Sequence, residues 1–203
     1  MRSIRRVLSA VAQRLIYSRL MVDYREHRAL RIGTMRHGEI DEVFERVTAA
    51  IDLIHRAHPW LGRRLPALLP EGVIAKEYAF PYAGEYHSSR SVCVLYVQAF
   101  GEMRSVEDLA LTIVHEATHA RLEARGIGYP EGQRAKVERI CLRREAAFAR
   151  RAGLSQDVIR SIEDHAEGLN EADFSTAHLC ETRLAALRAR LKETLGMRSD
   201  EPG

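Results

Sequence analysis

Residues 109–119 read LALTIVHEATH, and the His-Glu-Ala-Thr-His at their end governs how the rest of the chain is read. Ser105, followed by Val106, Glu107 and Asp108, supplies an N-cap with an acidic first turn, so the segment is expected to be helical. Val106, Leu109, Ala110, Ile113, Ala117, Ala120 and Ala124 recur at helical spacing and make one apolar stripe. At roughly 100° per residue, His115 and His119 fall on the other side, beside Leu111, Thr112 and Leu122. Both faces of this helix therefore need cover.

Histidines four apart on one helix face have Cβ atoms about 5–6 Å apart, so both imidazoles can reach one divalent ion at about 2.0 Å. Glu116 lies one residue further round, out of line for the same ion but placed to hydrogen-bond a water on it, which is the general-base role in metal-assisted hydrolysis. The plain alternative is a helix that carries two histidines and no metal. A third ligand separates the two readings.

Residues 126–132, GIGYPEG, break the helix with glycine and proline where a turn needs them, and a further helix is expected over residues 133–152. On its wheel Glu138, Cys141, Leu142, Glu145, Phe148 and Ala149 share one arc. Two carboxylates in an apolar stripe must be exposed, paired or bound to a cation. If the loop folds this helix back antiparallel on the first, Glu138 comes level with His119, and Glu145 lies two turns beyond. Glu138 is thus the expected third ligand. Glu145 is the alternative, or else a carboxylate that orients a ligand histidine. A salt bridge from Glu138 to a neighbouring arginine is the competing reading.

The pattern His115-Glu116-Ala117-Thr118-His119, eighteen residues, then Glu138 resembles the zincin-type metallopeptidases of the gluzincin clan, with their His-Glu-x-x-His … Glu arrangement. The resemblance implies zinc held by His115, His119 and Glu138, with Glu116 as base. Residues 144–149, REAAFA, also look like the Glu-Ala-x-x-Phe-Ala segment of small minimal zincins related to antirepressor-cleaving bacterial proteases, and that alignment makes Glu145 the ligand. The likeness covers about 45 of the 203 residues.

Upstream, residues 1–38 read as a basic amphipathic appendage: Ile4, Val7, Leu8, Val11 and Leu15 at helical spacing among Arg2, Arg5, Arg6, Arg14 and Arg19, with the helix continuing to about residue 30. It is expected to pack on the domain or face a partner or membrane surface. A mitochondrial presequence competes, and a secretory signal does not fit. The catalytic domain is expected over residues 39–198. Residues 39–58 read as a helix with Ile40, Val43, Phe44, Val47, Ile51 and Ile54 on its buried side, ended by Pro59; His55 and His58 near its end read as solvated. Residues 60–70, rich in proline, read as a connector. Residues 73–80 and 91–100 are the strand candidates, with residues 81–87 a turn-rich loop between them. If the strand at 91–100 is an edge lying over the site, its backbone can hold a peptide extended.

Downstream, residues 155–167 and 174–195 read as helices that complete the core. Tyr129, His165 and His178 are candidates to stabilise a developing oxyanion, against the simpler reading of surface polar groups.

Composition sets bounds on all this. A hydrophobic share of 46% belongs to a globular chain, and 31 Lys and Arg against 28 Asp and Glu, net +3, give no cause to expect nucleic acid. Three scattered cysteines, Cys93, Cys141 and Cys180, do not make a disulfide framework, so a reducing cytoplasm is expected. No apolar run approaches the ~18–20 residues of a membrane span.

The expectation is an α+β fold: a mostly helical zincin-like domain with a small sheet ahead of the motif helix. It would bind one Zn2+ per chain and hydrolyse a peptide or protein substrate, with Glu116 taking the proton of a water whose pKa the metal lowers toward ~7. Two competitors remain: a zincin-like metal-binding regulatory module without proteolysis, and a helical interaction protein that uses the basic N-terminal helix on a membrane or nucleic acid.

Overall fold

A computed structural model describes residues 23–34, 40–76, 83–99, 102–130 and 132–174. Their elements, in chain order, are β1 (Asp23–His27), β2 (Leu30–Thr34), α1 (Ile40–Ala57), α2 (Pro59–Leu68), β3 (Gly72–Lys76), β4 (Gly84–His87), β5 (Val92–Tyr96), β6 (Gln98–Ala99), β7 (Glu102–Met103), α3 (Val106–Glu123), α4 (Arg134–Ala152), α5 (Gln156–Gly168) and a 3-10 turn at Glu171–Phe174. The fold is α+β. Of the sequence expectations, residues 1–22, the helix beyond Phe174 and His178 lie outside the described residues.

Five strands form one sheet in the order β1-β2-β3-β5-β4. The central three run parallel, Ile32 against Val73 and Val73 against Cys93. The two outer strands are antiparallel to their neighbours, Tyr24 against Gly33 and Tyr86 against Cys93. β3 and β5 are apolar almost throughout and buried, as central parallel strands should be. Gly72 enters β3 at φ +89°, where an added Cβ would sit 2.1 Å from the Arg31 carbonyl oxygen, so β2 and β3 can meet there only through glycine.

Helix α1 packs against β2 and α3, and α3 against β4 and β5; α4 covers α3 and α1, and α5 covers α4. The core between them is built from Phe44, Ile51 and Ile54 of α1, Leu109 and Ile113 of α3, Phe148 of α4, and Leu95 of β5, all essentially without solvent exposure. At about 25 cal/mol per Å2 of apolar surface, each such side chain contributes roughly 1.5–3 kcal/mol.

Several expectations are corrected. The basic helix expected to reach about residue 30 gives way to β1 at residues 23–27, and residues 30–34, expected within the 1–38 appendage, are β2 of the domain, with Leu30 and Ile32 in the core. The connector at residues 60–70 is mostly helix α2, because Pro59 sits in its first turn, where the missing N–H removes no bond. The loop at 81–87 contains β4. Of the strand expected at 91–100, β5 is internal and paired on both sides, while Gln98–Ala99 pairs with Glu102–Met103 in a separate two-stranded sheet, so the edge strand beside α3 is β4 instead. Helices expected at 39–58, 133–152 and 155–167 stand at α1, α4 and α5.

Candidate metal centre

Helix α3 begins as its sequence requires: Ser105 caps it, its hydroxyl accepting from Asp108 N at 3.0 Å, with Glu107 and Asp108 in the first turn. Ile113, Ala117 and Ala120 bury one side against the core, while Leu122 packs on Val137 and Cys141 of α4 in a second, smaller apolar cluster. Between those two contacts α3 presents His115 and His119, with ring centroids 5.1 Å apart.

Glu138 of α4 meets both. Its Oε2 lies 3.0 Å from His115 Nε2 and its Oε1 3.2 Å from His119 Nε2, so the expected level placement of α3 and α4 is what the helices adopt. Glu145 approaches His115 from behind, Oε2 3.0 Å from Nδ1. Tyr129, in the connecting loop, donates its hydroxyl to Glu138 Oε1 at 2.6 Å and sets its ring edge-on to His119, centroids 5.5 Å apart. One donor was missed in the sequence: Cys141, three residues after Glu138 and fully buried, whose Sγ and one nitrogen each of His115 and His119 all lie within 4.8 Å of one another, a group that does not include Glu138. The signal was its place on the arc shared with Glu138 and Glu145.

Burial opposes charge on His115, but Glu138 and Glu145 at its two nitrogens outweigh that and raise its pKa to about 10. Burial works against the Glu138 carboxylate too, yet its bonds to His115 and His119 hold it well below the usual carboxylate range. Desolvation raises the Tyr129 hydroxyl and the Cys141 thiol, and the Glu138 charge adds to both. Glu116 is 6% exposed. Burial raises its pKa against the pull of His115, His119 and a hydrogen bond from the Tyr86 backbone.

That last bond ties the centre to the sheet. β4 is brought close enough by Gly84, where an added Cβ would lie 2.6 Å from Thr112 Cγ2, 2.8 Å from the Val94 carbonyl oxygen and 3.6 Å from Glu116 Cγ. The outer edge of β4 is paired with no strand among the described residues.

His165 is not brought here: it is exposed on α5, with no hydrogen bond or ion pair to the centre among the described residues. Three carboxylates, Glu116, Glu138 and Glu145, crowd two imidazoles in a place largely closed to water, an arrangement that calls for added positive charge. Imidazole, carboxylate and thiol donors together suit zinc among the common divalent ions.

No family model, no curated protein and no solved structure matches the chain. Among the described residues no helix is long and apolar enough to cross a membrane.

Proposed function

We propose that the chain is a zinc-dependent peptide hydrolase of the gluzincin-like zincin type. The observation that carries this reading is the convergence of His115 Nε2 and His119 Nε2 on the Glu138 carboxylate, with Glu116 on the same helix turn. His115, His119 and Glu138 would hold the ion. Bound there, zinc supplies Lewis acidity to a water and to a carbonyl oxygen.

The chain's own groups do the rest. Glu145 fixes the His115 ring through Nδ1, which leaves Nε2 facing the ion. Glu116 takes a proton from the attacking water and hands it to the leaving amine, in a position fixed by the Tyr86 backbone bond. Tyr129, whose hydroxyl reaches Glu138, is the candidate to donate to a developing oxyanion. β4 offers its outer edge to an extended peptide, so main-chain pairing can seat the substrate beside Glu116.

A second reading has one observation in its favour. Cys141 groups with His115 and His119 in a donor set that does not include Glu138; where thiol and Glu138 carboxylate both ligate, the site has four protein ligands and is closed, as structural zinc sites are. A zincin-like regulatory module then replaces the enzyme. Glu116→Gln distinguishes the two: on the hydrolase reading it keeps one equivalent of zinc and loses cleavage of a mixed peptide pool. Wild type and variant equally inert, with zinc bound in both, would overturn that reading in favour of the module.

A further inference from the structure

About a third of a turn round α3 from the histidines, and on the neighbouring face of α4, the same two helices open a concavity against the start of α2. Its floor is apolar, made by Val114 and Ala117 of α3 and Phe148 of α4. Its walls are basic. Arg121 comes from α3, Arg144 and Arg151 from α4, and His58 precedes α2; no Asp or Glu lines it.

Arginines are ordinarily compensated by neighbouring acids. Here Arg121, Arg144 and Arg151 form no ion pair among the described residues, whereas Arg150, beside them in sequence, is paired with Glu163. The charges that bear on the pocket repel each other. Burial and then Arg151, Arg144 and Arg121 depress the His58 pKa; burial and then Arg125, Arg144 and Arg64 depress that of Arg121. Trp60, 41% exposed, stands at the rim with Arg121 4.8 Å and Arg64 5.1 Å from its ring centre.

From this geometry we infer that the pocket binds the diphosphate group of a small molecule, with Arg121, Arg144 and Arg151 as its anion ligands. Three fixed positive charges match the roughly three negative charges of a diphosphate, and guanidinium forks suit phosphate oxygens in pairs. The hollow is small, about 40 Å3, with Arg144 and Arg151 exposed, and it is not a stripe, so it fits a compact anion held at its mouth better than a polymer backbone. Trp60 offers its ring to whatever organic body the diphosphate carries. The site stands apart from the metal reading and needs none of it.

Trp60 is the chain's one tryptophan, so its fluorescence reports on the rim alone. The full chain is titrated with pyrophosphate, with ADP and with a short single-stranded oligonucleotide, all at constant ionic strength, and thermal midpoints are read in parallel. The expected result is a saturable fluorescence change with pyrophosphate between ~0.01 and ~1 mM. The thermal midpoint rises over the same range, as mass action requires. The double variant Arg144→Gln/Arg151→Gln, both exposed positions, should bind at least ~tenfold more weakly. ADP binding ~tenfold tighter than pyrophosphate assigns the source as a nucleotide, and equal binding assigns free phosphates. The inference is overturned by no saturation in either readout up to ~10 mM, by unchanged affinity in the double variant, or by an oligonucleotide that outbinds both small anions.

Discussion

Glu145 and Glu138 hold opposite nitrogens of one ring: Glu145 Oε2 is 3.0 Å from His115 Nδ1, and Glu138 Oε2 is 3.0 Å from His115 Nε2. A histidine with a carboxylate at each nitrogen can satisfy both only as imidazolium, and a cation at Nε2 relieves that demand by replacing a proton.

The two carboxylates therefore have separable effects. Glu145→Gln keeps a partner at Nδ1 but loses the charge that makes His115 a better donor, so zinc affinity should fall ~10–100-fold with one site per chain retained. Glu138→Ala should abolish stoichiometric binding. Competition against a chromophoric chelator reads both, and unchanged affinity in Glu145→Gln would refute its orienting role.

Cys141 decides whether the centre is open. On the hydrolase reading its thiol is not a ligand; without an ion, burial and then the charges of Glu138, Glu116 and Glu145 push its pKa up. Cys141→Ala should then keep the bound metal and turnover, at a cost of ~1 kcal/mol in stability for the sulfur it removes from the Leu122–Val137 cluster. Cobalt-loaded wild type should show no thiolate-to-metal charge-transfer band. A strong band that vanishes in Cys141→Ala would establish thiolate ligation, and zinc affinity lost in Glu138→Ala as well would make four protein ligands and favour the regulatory module.

The motif helix was legible because its signals agree: Ser105 as cap, an acidic first turn, and apolar residues on two faces. Glu138 was legible from the length of loop and helix that separates it from His119. The β1–β2 hairpin was not, because its turn residues Arg28 and Ala29 adopt φ of 50° and 61°, which sequence usually announces with Asn or Gly. β1, DYREH, is also an exposed edge strand of mostly polar residues, with no apolar alternation to announce it. Residues 59–68 carry two prolines and a glycine, and only packing of Leu61, Leu65 and Leu68 reveals them as helix. β4 is too short and polar to stand out from the loop that precedes it; it exists through its pairing with β5. In sequence Cys141 reads as an apolar member of the arc shared with Glu138 and Glu145 and as one of three scattered thiols, and its proximity to two imidazoles is a tertiary fact.

Glu85 on β4 predicts a pH dependence. The hydrogen bond to His87, helped by the Tyr96 hydroxyl and by His87 and Lys76 charge against the penalty of burial, lowers its pKa from 4.5 to about 2. A depressed carboxylate stabilises the fold above its unfolded pKa, so the contribution is complete above about pH 4.5 and is lost as pH falls toward about 2. The group is 45% exposed, so solvent screening keeps the effect small. Urea unfolding in chelator should show a shallower acid slope for Glu85→Gln than for wild type across that window; superimposable slopes would sink the assignment.

Gly84 sets how closely the sheet edge approaches the motif helix. In Gly84→Ala the new methyl would meet Thr112 Cγ2 at 2.6 Å and the Val94 carbonyl oxygen at 2.8 Å, so β4 must move away from α3 or from β5. Overpacking of this kind costs ~1–3 kcal/mol. Its effect should extend beyond stability, since any retreat of β4 also stretches the Tyr86 backbone bond to Glu116. Thr112→Ser deletes Cγ2 and keeps the hydroxyl bond to the Asp108 carbonyl at 2.9 Å, so it removes one of the two clashes. The double variant should recover part of the lost stability and part of any lost turnover, as coupled neighbours do. Chemical denaturation of the four members of this cycle measures the coupling, and strictly additive energies would show that β4 and α3 are not in the contact described.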